Sequence, residues 1–542
     1  MAAVVRSNLT ASAAPTTDRQ RRARWISVLA LSFVSFIFAA WLLELGRHQW
    51  FVTDEWDYLS TQGEPLLGWL FRPHNEHTIV FTKLWFQALV ATIGVRHYAV
   101  YLIPLVAAHL VVVGASYRLT WLATTSRIVA TGVALPVLAM GAAAGTLTWA
   151  GQFQYVGSVA AGMLAILLSV ERRKAWWLPA LIVVTAFGTL NGSAFIAFGI
   201  AAGVVLAHRR EWAAAGLVAL IPVVWQVVVR VVWQPVNPFA AEDLHQILRS
   251  GPAFAYSILD VAVSQTVGDN HLTSAILVVV TLGTLALLST DGLRPLTRWS
   301  RSIAGALALA PILTMLLLIL GRLSRSAILA SGGGYSYLFL ASLVPLAGIL
   351  LAHVGRSRVS SVAILTGFAT LSLIGVATIT DAARDLSTWK TAEERLLLTS
   401  AAGIADNLDV FPEQIPVPDT AASLTQAQLR SWITDGRIDA GVAGQTESDQ
   451  VSLNLQWRVQ PTTSTGDECR DVAIGETIDV PRRSAAVLRA RVPGSSADLR
   501  YVGSPAVRRF SLPSDAVVLE SLADRSTSLT VGSGGVQVCL IG

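Results

Sequence analysis

Charge is what this chain has least of: Asp, Glu, Lys and Arg make up 14% of its 542 residues, against about a quarter in an ordinary soluble domain. That scarcity excludes a chain that is soluble throughout. Cysteine is almost as rare, with Cys469 and Cys539 alone, both after the last apolar run. Two cysteines so placed exclude a cysteine-rich metal scaffold and predict one disulfide if the tail lies in an oxidising compartment. A cleavable leader is also missing: "RQRRARW" runs into an apolar stretch with no small-residue cleavage site, which reads as a retained first helix. No repeat of fixed period is visible, nor the inverted halves of many transporters.

What is present is hydrophobic, 53% of the chain. Long apolar runs recur through the first 380 residues, many near the ~20 residues that cross a bilayer. Spans are expected at about 25–45, 98–119, 128–150, 155–170, 175–190, 194–207, 213–233, 272–290, 303–320, 337–354 and 359–379. The short apolar segment 78–94 carries Lys83 and Gln87, and basic residues arbitrate its place. With eleven spans and the N-terminus inside, 17 of the 25 Lys and Arg residues before position 381 fall on the cytoplasmic side. A twelfth span would turn "ERRK", "HRR" and "RPLTRWSR" outward, against the positive-inside bias. The expectation is therefore about eleven transmembrane helices, with 78–94 a juxtamembrane or re-entrant helix whose lysine can snorkel.

This topology predicts a cytoplasmic tail at 1–24 and a membrane domain at 25–380 with a first outer loop at 46–97. Other outer segments are 151–155, 234–271 and 321–337. Beyond them come an extracytoplasmic helical and linker region at 381–450 and a small β-rich domain at 451–542. The last rests on alternating stretches such as "VSLNLQWRV", "AAVLRARV" and "SLTVGSGGVQVCLI". Carbohydrate binding by that domain is an analogy from its fold class.

The first outer loop concentrates the chemistry. "DEWD" places Asp54, Glu55 and Asp57 directly after the first span, where partial dehydration raises a carboxylate's pKa unless a cation compensates. "RPHNEH" adds Arg72, His74, Asn75, Glu76 and His77. Asp54 and Asp57 would share a helix face, and His74 and His77 have the same spacing. Glu55, Asp57, His74, Glu76 and His77 are the candidate ligands for a divalent cation such as Mg, Mn or Ca, although their spacing matches no zinc signature. Further outer segments supply Gln152 and Gln154 for hydroxyls, Arg322 and Arg325 for a phosphate, and Tyr335 and Tyr337 to stack on a sugar or sit in the aromatic belt. Beside a bilayer, that set suits group transfer from a lipid-linked phosphate to a hydroxyl.

The acidic motif behind helix one, the juxtamembrane segment and the outer tail resemble the GT-C superfamily of integral-membrane glycosyltransferases. "DEWD" with "RPHNEH" and a later "GR…YSY" is similar to bacterial membrane proteins that carry DEWD and HNEH loop motifs. The resemblance covers 25–380. It implies a polyprenyl-phosphate sugar donor, an envelope glycan or glycolipid acceptor, and a multi-pass place in a bacterial plasma membrane with no nucleic-acid partner. It also implies inversion at the anomeric carbon, with Asp54 as general base, Glu55 assisting or binding a metal, and Arg322 and Arg325 facing the leaving phosphate. Asp57 is the alternative base, Asp54 then being a helix cap. The competing readings are a lipid-linked oligosaccharide ligase or polymerase, a non-catalytic lipid or glycan transporter, and an inert scaffold with a glycan-binding tail.

Overall fold

The computed structural model describes residues 18–541 apart from 53, 62–63, 172–175, 236–243, 268–297, 324–333, 355–357, 406–420, 422, 439–444, 462–467, 483, 493, 513–515, 522 and 524–525. The chain divides into two compact units. One comprises Met1–Gly46, Arg72–Phe81 and Leu102–Ala383; the other comprises Arg47–Phe71, Thr82–Tyr101 and Arg384–Gly542.

The first unit makes this a polytopic membrane protein. Among the described residues, eight helical stretches are long and apolar enough to cross a bilayer: Trp25–Gly46, Ile103–Thr124, Arg127–Leu147, Ala150–Val170, Trp212–Trp233, Ser300–Arg322, Tyr335–His353 and Val362–Ala402. Two expected spans are shorter apolar helices, Trp177–Asn191 and Phe195–His208. The expected span at 272–290 lies outside the described residues.

Four local expectations need correction. The predicted outer segment 234–271 is largely a helix, Leu244–Val267. Its Phe254 and Ile258 pack with Leu323 and Phe339; the polar residues between those apolar positions kept it from reading as an apolar run. The predicted helix 128–150 breaks after Leu138. Pro136 lacks an amide to continue the ladder, and the small residues that follow form short turns at Gly141–Ala143 and Ala144–Leu147. His109 meets the freed carbonyl of Leu138 through Nε2 at 2.9 Å. The last span and the start of the helical and linker region expected at 381–450 are one helix, Arg358–Ala405, with no proline to interrupt it. Finally, residues 451–456 are helical rather than extended, because Leu453 and Trp457, four apart, both enter one core.

The second unit ends in a β-sandwich of nine strands: β1 (Trp457–Pro461), β2 (Glu468–Val472), β3 (Thr477–Val480), β4 (Ala485–Ala490), β5 (Ser496–Tyr501), β6 (Arg508–Ser511), β7 (Val517–Ser521), β8 (Thr527–Ser533) and β9 (Val536–Ile541). They form sheets ordered β1-β7-β4-β9-β2 and β3-β8-β5-β6, antiparallel throughout. Alternate residues, such as Leu519 on β7 and Leu529 on β8, meet in the shared core. Gly534 and Gly535 carry the chain from one sheet to the other with φ of 77° and 65°, a region that penalises side chains. Cys469 and Cys539 face each other across β2 and β9 and form the expected disulfide. Arg508 closes the Gln445–Gln456 helix by donating to the carbonyls of Leu453, Asn454 and Trp457.

Candidate functional site

Within the second unit, "DEWDYL" is a short helix, Asp54–Leu59. Glu55 is fully buried. Its Oε1 accepts the Tyr98 hydroxyl at 2.8 Å and its Oε2 the Val52 amide at 3.1 Å. Both oxygens serve the fold, so Glu55 is a positioning residue. The floor around it is aromatic: Phe51 lies 4.7 Å from Tyr101 and 5.0 Å from Tyr98, ring to ring, and Trp56 stacks on Trp432. Burial and the nearby Glu55 charge push the Tyr101 phenol well above its ordinary pKa, which keeps it a neutral donor to the Gly94 carbonyl.

Asp57 is half-buried and accepts the Ser423 hydroxyl. Gln428 ties the same segment down by donating to Ser60 at 2.8 Å and completing a capping box with Thr425. Asp54, half-buried on the first turn, has a carboxylate oxygen within 4.8 Å of one from Asp57. Two carboxylates one turn apart can offer oxygen ligands to a hard cation, with water completing the shell.

The juxtamembrane segment is the helix Val80–Thr92, at 13 residues too short to span. Its lysine does not snorkel. Lys83 is buried, donates to the Trp69 carbonyl at 2.8 Å and lies over the Trp69 ring. Gln87 donates to the carbonyls of Tyr58 and Leu59, so Lys83 and Gln87 pin the acidic helix and its neighbour.

In the first unit, "HNEH" is not helical. His74 and His77 exchange backbone hydrogen bonds of 2.9 and 3.0 Å around a two-residue turn. Asn75 at its exposed tip has φ of 53°, a conformation asparagine tolerates. The buried Glu76 side chain pairs with Arg322, and its carbonyl accepts Gln226 at 2.9 Å. His77 Nδ1 lies 2.7 Å from the Ser193 hydroxyl, and Nε2 lies 3.4 Å from Arg322. Nε2 lies equally 3.4 Å from a Glu76 carboxylate oxygen, so the ring sits between an ion pair and a hydroxyl. Burial lowers the His77 pKa to about 4 against the upward pull of Glu76, with Arg322, His74 and Arg230 adding to the decrease.

Of the proposed metal ligands, Glu55, Glu76 and His77 are thus committed elsewhere. Asp57, which accepts Ser423, has Asp54 beside it in the second unit, and His74 belongs to the first. Arg72 is half-buried, Gln152 and Gln154 are buried at the start of the Phe153–Val170 helix, and Arg325 lies outside the described residues. Tyr335 is half-buried against Tyr155, whereas Tyr337 is buried and bonded to His109 Nδ1 at 3.0 Å. Sequence reasoning missed Tyr98, Lys390 and Ser423 in one unit and Ser193 and Gln226 in the other. Each partners a motif residue from far along the chain, where no local signal marks it. Compared with known proteins, the chain matches no family model and no curated protein.

Proposed function

We propose that the protein is a membrane glycosyltransferase that moves a hexose or pentose from a polyprenyl-phosphate donor to a hydroxyl of a cell-envelope glycan or glycolipid. The observation that carries this reading is the division of labour in the acidic helix. Glu55 is consumed by the fold and Asp57 is held by Ser423, while Asp54 stands half-buried on the first turn beside Asp57. A fixed frame around a reachable carboxylate is what a general base needs.

Asp54 takes the proton of the acceptor hydroxyl. The acceptor oxygen attacks the anomeric carbon opposite the phosphate, and the carbon–oxygen bond to phosphate breaks with its electrons leaving on the phosphate. The configuration inverts. A divalent cation held by Asp57 and Asp54 would supply positive charge for that leaving group. Asp57, oriented by Ser423, fixes the carboxylate pair. The charge count of the loops and the tail disulfide favour a cytoplasmic N-terminus and an extracytoplasmic tail in a bacterial plasma membrane.

The test is sugar transfer in proteoliposomes, with radiolabelled polyprenyl-phosphate sugars and envelope-lipid acceptors. We expect Asp54→Asn to lose about 10²–10⁴-fold, the usual contribution of a positioned base, and Ser423→Ala to lose less. Loss confined to Asp57→Asn would move the base by three residues. Transfer surviving in both Asp variants would end the catalytic reading of this helix.

A further inference from the structure

Ser193 and His77 form a pair that glycosyl transfer at Asp54 does not use. The Ser193 hydroxyl lies 2.7 Å from His77 Nδ1. Across the ring, Nε2 lies 3.4 Å from Glu76 Oε1 and 3.4 Å from Arg322 Nη2. Of those two neighbours only the carboxylate can accept a hydrogen bond, and its ion pair with Arg322 holds it in place. A hydroxyl, an imidazole and a fixed carboxylate in that order are the parts of an activated serine. All of them belong to the first unit, whereas Asp54 belongs to the second.

The serine sits on a well-anchored turn between the apolar helices Trp177–Asn191 and Phe195–His208. Asn191 donates to the Phe153 carbonyl at 3.0 Å. A Cβ on Gly192 would lie 2.8 Å from Ser158 Oγ and 3.0 Å from the Gln154 carbonyl oxygen, so the turn packs directly on the start of the Phe153–Val170 helix. Ser193 itself is half-buried, within reach of a ligand. The Phe195–His208 helix begins two residues later with no side chain capping its first turn. Its positive end favours an oxyanion beside Ser193. Arg322 ends one span, Tyr335 begins the next, and Tyr155 lies near the start of a third. The Tyr155 ring is 6.3 Å from His77 and 6.2 Å from Tyr335. Span ends mark a membrane–water boundary, where the ester groups of lipids lie between head group and hydrocarbon.

We propose that Ser193 is a nucleophile for acyl transfer, with His77 as its base, and that its substrate is a carboxylic ester of a membrane lipid. The Ser193 oxygen attacks the ester carbonyl carbon while its proton passes to His77 Nδ1. The charge on the carbonyl oxygen is met by the start of the Phe195–His208 helix. The carbon–oxygen bond to the alcohol then breaks, and the alcohol leaves with the proton from His77. Water repeats the sequence on the acyl-serine and releases the fatty acid. Glu76 is a positioning residue that keeps the Nε2 proton on its own side of the ring. Burial holds His77 uncharged at neutral pH, the form that can take a proton. None of these steps involves Asp54, so the proposal is independent of the glycosyltransferase reading.

The test uses the full chain in an alkyl maltoside and a fluorophosphonate, a probe for activated serines. Folded wild type should carry the label on the peptide that contains Ser193, and denatured wild type should not. Ser193→Ala should lose the label, and His77→Gln should slow it about 10²-fold or more, as expected when a general base is removed. Asp54→Asn should label as wild type does. The peptide map of the wild type decides alone if either variant folds poorly. Octanoate should be released from dioctanoylglycerol by the wild type and not by Ser193→Ala. Cleavage of p-nitrophenyl butyrate without octanoate release would overturn the lipid assignment. An unlabelled Ser193 in the folded wild type, or labelling as fast in His77→Gln, would overturn the proposal and leave the Ser193–His77 contact a link within the fold.

Discussion

The hydroxyl of Tyr98 donates to Glu55 at 2.8 Å, across 43 positions of chain. This bond joins the acidic helix to the segment that follows the juxtamembrane helix. Its geometry explains why a glutamate sits between two aspartates without sharing their exposure. Lys390 completes the arrangement, stacked over the Tyr98 ring and acted on by the Glu55 charge. A buried carboxylate and a buried ammonium on either side of one phenol form a unit in which each member offsets the desolvation of another.

Removing one member should therefore be worse than removing the pair. Tyr98→Phe should destabilise by about 1–3 kcal/mol, the range for a buried acceptor left short of a donor. Glu55→Gln keeps the shape but strips the charge opposite Lys390, and Lys390→Met in that background should recover part of the loss. The readout is the denaturation midpoint of the four corners of the cycle. Equal effects of Lys390→Met with and without Glu55 would show that the two charges do not interact.

A second expectation concerns the broken helix of the first unit. A Cβ on Gly375 would lie 1.8 Å from the carbonyl oxygen of Ala139, and one on Gly141 2.8 Å from Gly375 Cα. Gly375→Ala should thus destabilise by at least the ~1–3 kcal/mol typical of overpacking. Gly367→Ala, on the same helix with nothing within 4 Å, should be neutral or gain from helix propensity. Melting curves of the two variants decide it; equal behaviour would mean that the helices separate easily at Gly375.

The features legible in the sequence were those written locally. Apolar runs mark most of the spanning helices, and period-two alternation marks β4, β7, β8 and β9. The pairing of Cys469 with Cys539 follows from there being two cysteines in one tail. What escaped depends on distance or on competing local signals. "HNEH" has helical spacing, but Asn75 takes a left-handed turn instead. Alternation at 451–456 reads as strand, yet Leu453 and Trp457 share a core across one helical turn. Lys83 looks like a snorkelling residue because its acceptor, the Trp69 carbonyl, belongs to a different helix. The acids were visible as a cluster, but their separate roles were not. Ser423, which holds Asp57, is 366 positions away.

The disulfide gives a third expectation. It closes a separation of 70 residues around nearly the whole sandwich, and the loop-entropy relation assigns such a link about 4 kcal/mol. Cys469→Ala/Cys539→Ala should lower the unfolding midpoint of the tail, and reductant should lower that of the wild type but not of the variant. A tail equally stable in both forms would show that Trp457, Leu499, Leu519 and their neighbours suffice without the link.

The last expectation is a pH dependence carried by His77. Its folded-state pKa, about 4, lies below the ordinary 6.5 because burial disfavours the imidazolium. Between those values the unfolded chain binds a proton that the folded chain does not, so stability rises with pH across that window. The contribution is complete above about 6.5, falls as pH drops toward 4, and is constant below. Glu76, Arg322, His74 and Arg230 all act on the ring, so the slope must be assigned by difference. His77→Gln should flatten the pH dependence of the unfolding midpoint between about 6.5 and 4 relative to wild type, with the two curves parallel above that range. If instead the curves stay parallel from pH 7 down to pH 4, the imidazole takes up its proton in the folded protein as readily as in the unfolded one.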